Sequence, residues 1–211
     1  MSDHRTEFGE SAILFFLKAP RRGYVKTRLA AGIGDDKALA AYQSLVERQA
    51  SKLRNHFPTT VYFAPADAAP ELSNWLGQEF DYAPQCEGDL GSRLKQAIST
   101  AFDQGAEFVV CIGGDCPGLN ASHIEQTLDF LSSGTDIVLG PTEDGGYYLI
   151  GLSLDRPELF EDIPWSHPET LDATLEKAHT LQLKPLLLET LYDIDQAEDL
   201  ERARNEGLLP S

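Results

Sequence analysis

One stretch limits the possible folds of this chain more than any other, Phe108-Val-Val-Cys-Ile-Gly-Gly-Asp-Cys-Pro-Gly118. Its run of five apolar residues, β-branched in part, predicts a strand buried on both faces, as in a parallel sheet covered by helices. In such sheets ligands bind just beyond the carboxyl ends of the strands, where two glycines and Asp115 follow here. Asp115 is therefore a candidate to hold a metal ion against a phosphate. A simple turn would use the same residue types.

Composition narrows the class of protein. The chain has 211 residues, 42% of them hydrophobic, which predicts one globular domain over residues 1–211. Its 17 basic and 34 acidic residues give a net charge of −17, which argues against nucleic acid as a partner, because Lys and Arg supply most of the affinity for phosphate backbones. The sequence does not indicate an oligomeric state.

The compartment is also predicted from composition. Residues 1–10 are polar and lack the pattern of a secretion signal, and the apolar run 12–17 is too short to span a bilayer. Cys86, Cys111 and Cys116 have no zinc-binding spacing, so we expect free thiols. We therefore expect a cytoplasmic protein without membrane insertion.

A basic loop follows the first predicted strand, residues 11–18. Its cations are Lys18, Arg21, Arg22, Lys26 and Arg28. In so acidic a chain this local reversal of charge predicts an anion site, with Thr27 opening a helix whose N–H groups favour phosphate. The loop is not a P-loop, because Gly23 stands alone. A solvated basic loop is the alternative.

The remaining pattern predicts alternating helices and strands, and hence an α/β fold. We expect helices over 35–57, 71–76, 122–131 and 169–181, another ending near 103, and a last one opening at 195; Pro168 would lie in the first turn of the helix over 169–181. We expect strands over 59–64, 80–83, 136–140 and 184–189, and one after Gly146. No repeat or linker divides the chain.

Two further glycine-rich stretches contain candidate binding residues. Gly88, Asp89 and Gly91 precede a helix, where the backbone can approach a base or ribose, and Arg93 can reach a phosphate. A helix cap and turn would explain the same residues.

Glu143 and Asp144 are followed by Gly145 and Gly146, which repeats the combination of acid and flexible backbone. If these acids face the site, one is a candidate base or acceptor-binding group; otherwise they are solvated turn residues. Trp165 either covers an acceptor pocket or belongs to the core.

The acids near the C-terminus have two interpretations. Asp195 with Glu198 fits an aspartate version of a capping box at the start of the last helix, which would explain Asp195 structurally. Asp193 is less well explained by capping. His167 is a poor zinc candidate, since no second His or Cys has a suitable spacing from it.

Taken together, several stretches in order along the chain carry a family resemblance. They are Phe16-Leu-Lys-Ala-Pro20, Val25-Lys-Thr-Arg-Leu29, Gly88-Asp-Leu-Gly-Ser-Arg93, Gly113-Gly-Asp-Cys-Pro-Gly-Leu119, Gly140-Pro-Thr-Glu-Asp-Gly-Gly-Tyr-Tyr148, Trp165-Ser166 and Asp193-Ile-Asp195. The chain resembles the GT-A-type nucleotide-diphospho-sugar transferases, and more narrowly the bacterial "transferase 1" or DUF2064 family, which is described as glycosyltransferase-like.

The resemblance implies a three-layer α/β/α sandwich with a mixed, mostly parallel sheet. It implies a nucleotide bound across the first strands, by residues Lys18, Ala19, Pro20, Lys26, Thr27, Arg28, Gly88, Asp89, Gly91, Arg93 and Gly114. It also implies Mg²⁺ or Mn²⁺ on Asp115, with Asp193 or Asp195 as a second contact, and a small-molecule acceptor near Glu143, Asp144, Gly145, Gly146 and Trp165.

The chain departs from the family pattern at two places. Gln196-Ala197 replaces the usual Thr-Pro after the last Asp-x-Asp, which leaves the choice between Asp193 and Asp195 open. His167 replaces a small hydroxyl residue, so the acceptor end can differ. The Lys-Thr-Arg-Leu element also looks like that of 2-phospho-lactate guanylyltransferases, relatives in the same superfamily.

These features give three functional hypotheses. The first is a glycosyltransferase that uses a nucleotide sugar, with Lys26, Asp115 and Asp144 as candidate catalytic residues. The second is a nucleotidylyltransferase that joins a nucleotide to a phosphorylated small molecule. The third is a nucleotide-binding protein without turnover. We favour the first, because of the narrow family description.

Overall fold

The computed structural model describes residues 10–210, so the expectation for the first nine residues lies outside the described part of the chain. Its strands form one seven-stranded sheet. They are β1 (Ser11–Lys18), β2 (Thr59–Ala64), β3 (Asp81–Pro84), β4 (Phe108–Gly113), β5 (Ile137–Pro141), β6 (Tyr147–Leu152) and β7 (Pro185–Leu187). The predicted bounds of β1 and β2 are confirmed, and the others differ by a few residues at the ends.

The strand order is β3-β2-β1-β4-β6-β5-β7. Among these described strands only β6 runs antiparallel to its neighbours, β4 and β5, so the prediction of a mixed, mostly parallel sheet is confirmed. From β1 the chain moves outward to β2 and β3, then returns to β4 on the other side of β1. This reversal leaves a crevice beyond the carboxyl ends of β1 and β4, where Phe16 lies in register with Gly113.

Helices cover both faces of the sheet. They are α1 (Thr27–Ile33), α2 (Asp35–Leu53), α3 (Ala69–Leu76), α4 (Leu90–Asp103), α5 (Ala121–Ser132), α6 (Thr170–Thr180) and α7 (Ala197–Asn205), with a short 3-10 helix at Pro157–Phe160. On β1, Ile13 and Phe15 pack with α2, α3 and α5, whereas Leu14 packs with α4 and α6. Side chains alternate between the faces of a strand, and the three-layer sandwich is confirmed.

A third apolar cluster lies beside the sandwich. It joins Leu29 of α1 and Leu45 of α2 to Leu200 of α7. This packing brings the segment before α7 against the loop before α1, although the two are far apart in sequence. The cluster therefore positions both segments at the crevice.

Several element ends differ from prediction. Helix α2 ends at Leu53, where Arg54 turns to an extended conformation and Asn55 takes a positive φ of 61°. Helix α3 begins two residues early, with a proline in its first turn. The prediction that Pro168 lies in the first turn of α6 is wrong, because that helix begins at Thr170.

Two further expectations concern composition. Cys86, Cys111 and Cys116 are all free, as predicted. Within residues 10–210, none of the helices combines the length and the apolar character that a bilayer crossing requires.

Candidate active site

A cavity of about 580 Å³ lies at the crevice beyond β1 and β4. Its volume is typical of sites for small molecules and cofactors. Most of the predicted site residues line it: Lys18, Lys26, Thr27, Arg28, Gly88, Asp89, Arg93, Gly114, Asp115, Asp193 and Asp195. The fold thus brings together the basic loop, the loop after β4 and the segment before α7.

Lys26 lies at the centre of this cavity wall. Its side chain is only 4% exposed, and its Nζ lies 2.6 Å from Oδ1 of Asp115. Nζ also donates a hydrogen bond of 2.7 Å to the carbonyl oxygen of Ile194. Lys26 is the residue before α1 and has a φ of 49°, a left-handed conformation that costs a non-glycine residue free energy. Its contacts across the fold must therefore hold it in place.

Asp115 follows β4 directly, and its carboxylate is 53% exposed. Its carbonyl oxygen accepts a hydrogen bond of 3.1 Å from the backbone N–H of Ile194. The loop that follows is fixed by α2: Gln49 Nε2 donates to the carbonyl of Cys116 at 2.7 Å, and Lys52 Nζ to that of Leu119 at 2.6 Å. The backbone is therefore anchored while the carboxylate faces the cavity.

Sequence reasoning missed Gln49 and Lys52. The available signal was their position three residues apart on a helix whose other side is apolar. Gln49 is buried, and burial of a polar side chain is favourable only where it forms hydrogen bonds. The partner carbonyls lie in a loop that is distant in sequence, so the pattern alone could not identify them.

Asp195 faces the cavity and not the start of a helix. Its Oδ2 accepts a hydrogen bond of 2.9 Å from Nη1 of Arg28, and its Oδ1 lies 4.0 Å from Nζ of Lys26. The predicted capping box of Asp195 and Glu198 is wrong. Gln196 caps α7, and the carboxylate of Asp199 accepts from the N–H of Gln196 at 2.7 Å. The cap lies one residue further on, which frees the Asp195 carboxylate.

Asp193 is half-buried between these groups. Burial raises the pKa of Asp193 to about 7, and the neighbouring Asp115 contributes to this rise, whereas Lys26 opposes it. The cavity wall therefore brings three carboxylates, Asp115, Asp193 and Asp195, close to the ammonium of Lys26.

The donor set fits a hard divalent cation. Carboxylate oxygens are the ligands that Mg²⁺ and Mn²⁺ prefer, and a cation would relieve the unfavourable charge on Asp193. Within residues 10–210 no three acidic, His or Cys side chains are grouped closely enough to hold a metal ion by themselves. Asp115, Asp193 and Asp195 all line the cavity, and Mg²⁺ is commonly held by one or two carboxylates and completed by substrate phosphates.

The basic loop divides into two parts. Lys18 lines the cavity, and the hydroxyl of Tyr42 fixes its backbone by accepting from its N–H at 3.0 Å and donating to its carbonyl at 2.7 Å. Burial, together with the charge of Asp115, raises the pKa of Tyr42, so the phenol stays neutral. Tyr42 is another residue that the sequence did not indicate.

Arg21 and Arg22 do not reach the cavity. Arg21 pairs with Asp67 and Glu71, and Arg22 pairs with Asp36. For these two arginines the alternative of a solvated loop is correct.

Ala19 and Pro20 are not brought to the cavity lining either. Ala19 is buried, and its N–H donates to the carbonyl of Ala64 at 2.8 Å. That donor is therefore not free for a phosphate.

The glycine-rich stretch at the start of α4 forms a helix cap and also contributes residues to the cavity, as the two interpretations of it predicted. Asp89 is the N-cap, its carboxylate accepting from Ser92 N at 2.8 Å, and this hydrogen bond lowers the pKa of Asp89. Arg93 donates to the carbonyl of Gly88 at 3.0 Å and to the side-chain oxygen of Gln85 at 3.3 Å. The residues of this group that line the cavity are Gln85, Gly88, Asp89 and Arg93.

Gly91 does not line the cavity, and its role differs from the predicted one. A Cβ at this position would collide with the indole of Trp165 and lie 2.8 Å from the carbonyl oxygen of Phe160. The glycine therefore permits close packing of α4 against Trp165, and not the approach of a ligand.

Trp165 belongs to the core on the α4 and α6 side. Its ring centroid lies 6.3 Å from that of Tyr147 and 6.4 Å from that of Phe160. It is not among the cavity-lining residues, whereas its neighbours Tyr147 and Ser166 are. The alternative of a core tryptophan is correct.

The predicted acceptor acids are engaged elsewhere. Both oxygens of Glu143 accept from Nη1 of Arg202 on α7, at 3.0 and 2.9 Å. Oδ1 of Asp144 accepts from the hydroxyl of Thr142 at 2.6 Å and from the N–H of Gly146 at 3.1 Å, which closes the turn between β5 and β6. Neither acid lines the cavity, but the charge of Asp144 contributes to the raised pKa of Asp193, which does line it.

Gly145 and Gly146 also serve this turn. Gly145 has a φ of 87°, and a Cβ there would collide with the carbonyl of Pro168. Tyr148, which follows on β6, lines the cavity instead. The structure thus does not bring the five predicted acceptor residues to the cavity wall.

Comparison with known proteins assigns the family of this chain. The family described as "Uncharacterized protein conserved in bacteria (DUF2064)" matches residues 47–167, more than half of the chain. The chain belongs to the DUF2064 family. The predicted family membership is confirmed.

Solved structures agree with this DUF2064 assignment. A protein from Desulfovibrio desulfuricans G20, provisionally assigned as a nucleotide-diphospho-sugar transferase, is 38% identical with a TM-score of 0.84, covering 89% of this chain and 83% of that one. CMP:2-keto-3-deoxy-manno-octonic acid synthetase complexed with CTP has a TM-score of 0.60 at 13% identity, covering 94% and 98%. Rv0371c from Mycobacterium tuberculosis H37Rv, complexed with manganese, has a TM-score of 0.51 at 16% identity, covering 96% and 99%.

The relative from Desulfovibrio supports the prediction that this DUF2064 protein is a transferase. The other two structures share its fold alone. The predicted GT-A-like architecture is therefore confirmed.

A match of another kind involves a longer protein. The chain is 26% identical over 170 residues to one component of the glutamyl-tRNA(Gln) amidotransferase of Pseudomonas savastanoi, covering 69% of this chain and 35% of that protein. The chain thus spans about a third of the length of the curated relatives it matches. At this identity the match does not assign the chain to the amidotransferase family.

Proposed function

We propose that this protein is a metal-dependent transferase that uses a nucleotide-activated donor, with a nucleotide sugar as the donor. The observation that carries the proposal is the cavity at the crevice of the sheet, where Lys26, Asp115, Asp193 and Asp195 face one space of about 580 Å³. A nucleotide sugar is of a suitable size for it. The 38% identical Desulfovibrio protein, provisionally assigned as a nucleotide-diphospho-sugar transferase, supports this donor class.

The reaction requires stabilisation of the negative charge that develops on the leaving phosphate. Lys18, Lys26 and Arg28 line the cavity and would offset this charge. Asp115, with Asp193 or Asp195, would hold Mg²⁺ or Mn²⁺, and the manganese complex of the fold relative Rv0371c is consistent with such a site. The bound ion would supply further charge stabilisation at the phosphate oxygens. Asp89, Gly88 and Arg93 would contact the nucleotide from the start of α4.

The second candidate, nucleotidylyl transfer, is favoured by one specific observation. Glu143 pairs with Arg202, which leaves it poorly placed to deprotonate an acceptor hydroxyl, and Oδ1 of Asp144 is already engaged in its own turn. An acceptor phosphate is already ionised at neutral pH and needs no general base. The fold relative that was complexed with CTP is a synthetase of an activated sugar. The third candidate, binding without turnover, needs no acceptor at all.

One experiment separates the three candidates. The protein would be incubated with panels of nucleotide sugars and nucleoside triphosphates, each with and without Mg²⁺ or Mn²⁺, and its melting temperature and the released products would be measured. A ligand at about 100 times its Kd stabilises a protein by roughly 2.7 kcal/mol. Stabilisation by a nucleotide sugar with release of a nucleoside diphosphate would support the proposal.

The other outcomes are equally distinct. Stabilisation by a triphosphate, with release of pyrophosphate in the presence of a phosphorylated acceptor, would select nucleotidylyl transfer. Stabilisation without any product from the full acceptor panel would select the binding protein. The absence of any response to these ligands, with or without metal, would refute all nucleotide-based proposals.

The domain organisation remains part of this proposal. We propose that residues 1–211 form one catalytic unit, because the sheet joins two of the apolar clusters and α2 joins the third cluster to them. We also propose that the protein acts in the cytoplasm. Limited proteolysis tests the first proposal, since a single unit would resist cleavage between residues 10 and 210.

A further inference from the structure

The ammonium group of Lys26 lies against the carboxylates that would hold a divalent metal. Its Nζ is 2.6 Å from Oδ1 of Asp115 and 4.0 Å from Oδ1 of Asp195. The lysine is 4% exposed, whereas the side chains of Asp115 and Asp195 are 53% and 42% exposed. The positive charge therefore lies behind the two carboxylates, which it partly neutralises from within the protein.

The rest of the wall holds this charge in place. Nζ also donates to the carbonyl of Ile194 at 2.7 Å, and the other oxygen of Asp195 accepts from Arg28 at 2.9 Å. Both aspartates are thus paired with cations of the chain itself.

A lysine is suited to change partners. Its ammonium is a compact charge on a flexible four-carbon stem, and it binds phosphate oxygens as readily as carboxylates. The phosphates of a donor in this cavity would offer Lys26 a second anionic partner. Asp115 would then lose its counter-charge and become free for a divalent cation.

We propose that Lys26 is a resident counter-ion that suppresses metal binding until the phosphates of the donor enter the cavity. Metal and donor then bind cooperatively, because each favours the state in which Lys26 has left Asp115 for phosphate. This inference deepens the proposed function and rests on it for the identity of the donor. It makes a statement about metal binding that needs no donor to test.

The test is a titration with Mn²⁺ alone, in which the free ion is followed by electron paramagnetic resonance. We expect Lys26→Met to bind Mn²⁺ about tenfold more tightly than the wild type, a coupling of ordinary size between charged sites. Lys26→Arg keeps the charge and should stay as weak as the wild type. Lys18→Met is the matched control, because Lys18 is a cation that lines the same cavity but forms no carboxylate pair in the described chain; its affinity should remain within about twofold of the wild type.

The titration has clear contrary outcomes. Equal affinities of Lys26→Met and the wild type would overturn the inference, as would an equal gain in Lys18→Met. The gain must also vanish in the double variant Lys26→Met, Asp115→Asn, otherwise the metal is bound elsewhere and the inference is wrong. If Lys26→Met lacks the native circular dichroism spectrum, Lys26→Gln gives the same readout, since its amide can still donate to Ile194.

A second measurement distinguishes this inference from the proposed function. The melting temperature of the wild type would be measured with Mn²⁺, with a nucleoside diphosphate, and with both. Stabilisation by both beyond the sum of the separate effects supports the inference, and strictly additive stabilisation contradicts it. If no diphosphate binds, the proposed function fails while the Mn²⁺ titration still decides the role of Lys26.

Discussion

The loop after β4 and the turn between β5 and β6 contain the same kinds of residue and use them differently. Each combines two glycines with an acidic side chain, Asp115 in the first and Asp144 in the second. The carboxylate of Asp115 faces the cavity and pairs with Lys26, which is distant in sequence. The carboxylate of Asp144 is satisfied by Thr142 and Gly146, two residues away on either side.

The difference shows what makes an acid beside glycines available to a ligand. Oδ1 of Asp144 accepts both hydrogen bonds of a local Asx-type turn, which a short hairpin can form. Among the described hydrogen bonds, the carboxylate of Asp115 has no such local partner. Its loop is anchored through the backbone, where Gln49 donates to the carbonyl of Cys116, and Gly114 packs against Leu17 and Val46. Whether such a carboxylate is available to a ligand therefore depends on whether its hydrogen-bond partners are neighbours in sequence or residues from distant segments.

The largest difference is expected when the negative charge is removed from Asp115 in one variant and from Asp144 in another. We expect Asp115→Asn to lower transferase activity about 10²- to 10³-fold, as the loss of a group that stabilises charge in the reaction does. Asp144→Asn should keep its activity within about threefold, because an amide oxygen can still accept both turn hydrogen bonds. Steady-state rates on the identified donor measure both. A larger loss in Asp144→Asn than in Asp115→Asn would show that the comparison is reversed.

The second test compares the loss of the turn hydrogen bonds of Asp144 with the loss of its charge alone. Asp144→Ala removes both hydrogen bonds at an exposed position and should cost about 1 kcal/mol, which lowers Tm by roughly 2–4 °C in a chain of this length. Asp144→Asn, the matched control, should melt as the wild type does. Thermal unfolding followed by circular dichroism measures both variants. If Asp144→Asn were as unstable as Asp144→Ala, the charge of Asp144 and not its turn would matter.

The third test concerns the anchoring of the Asp115 loop by Lys52. Burial, with a smaller contribution from Arg48, lowers the pKa of Lys52 to about 8 in the folded protein. The unfolded chain keeps this proton up to a higher pH, so folding releases it and stability rises with pH from about 8 to about 10.5. Relative to Lys52→Met, the wild type should gain roughly 1–3 °C in Tm over that range, since solvent screens part of the effect at this half-buried group. If the pKa of Lys52 is not lowered in the folded protein, Tm should change with pH equally in the wild type and in Lys52→Met between about pH 8 and 10.5.

The smallest effect is expected at Glu143. Its pair with Arg202 is exposed on both sides, and solvent screens such pairs so that they contribute little to stability. Glu143→Gln should therefore change Tm by less than about 3 °C and leave activity and metal-dependent ligand binding unchanged. If Glu143→Gln lost activity with an unchanged melting curve, Glu143 would act at the acceptor site after all.

Much of the fold could be predicted from the sequence because its signals are local. The apolar runs at residues 11–18, 59–64 and 108–113 each form the expected strand, since a buried strand needs only a short continuous apolar segment. The position of Asp115 at a strand end followed from the same reasoning. The family pattern then supplied the sheet architecture, which is confirmed.

Element ends and caps were predicted less well, because they depend on single hydrogen bonds. The capping box at Asp195 and Glu198 was a reasonable local pattern, yet Gln196 and Asp199 form the cap. A shift of one residue changes Asp195 from a cap into a cavity residue. Local propensity cannot distinguish two such caps when their free energies are similar.

Local sequence patterns were sufficient to predict the strands, the mixed α/β class and the concentration of cations in the first loop. Which charges meet depends on the packing of distant segments. Lys26 lies against Asp115 and Asp195, whereas Arg21 and Glu143 pair with residues outside the cavity. The two kinds of feature differ in the sequence separation of the residues that specify them. A strand or turn is specified by neighbours along the chain, whereas an ion pair between residues 26 and 195 depends on the packing of α1 and α7 against α2.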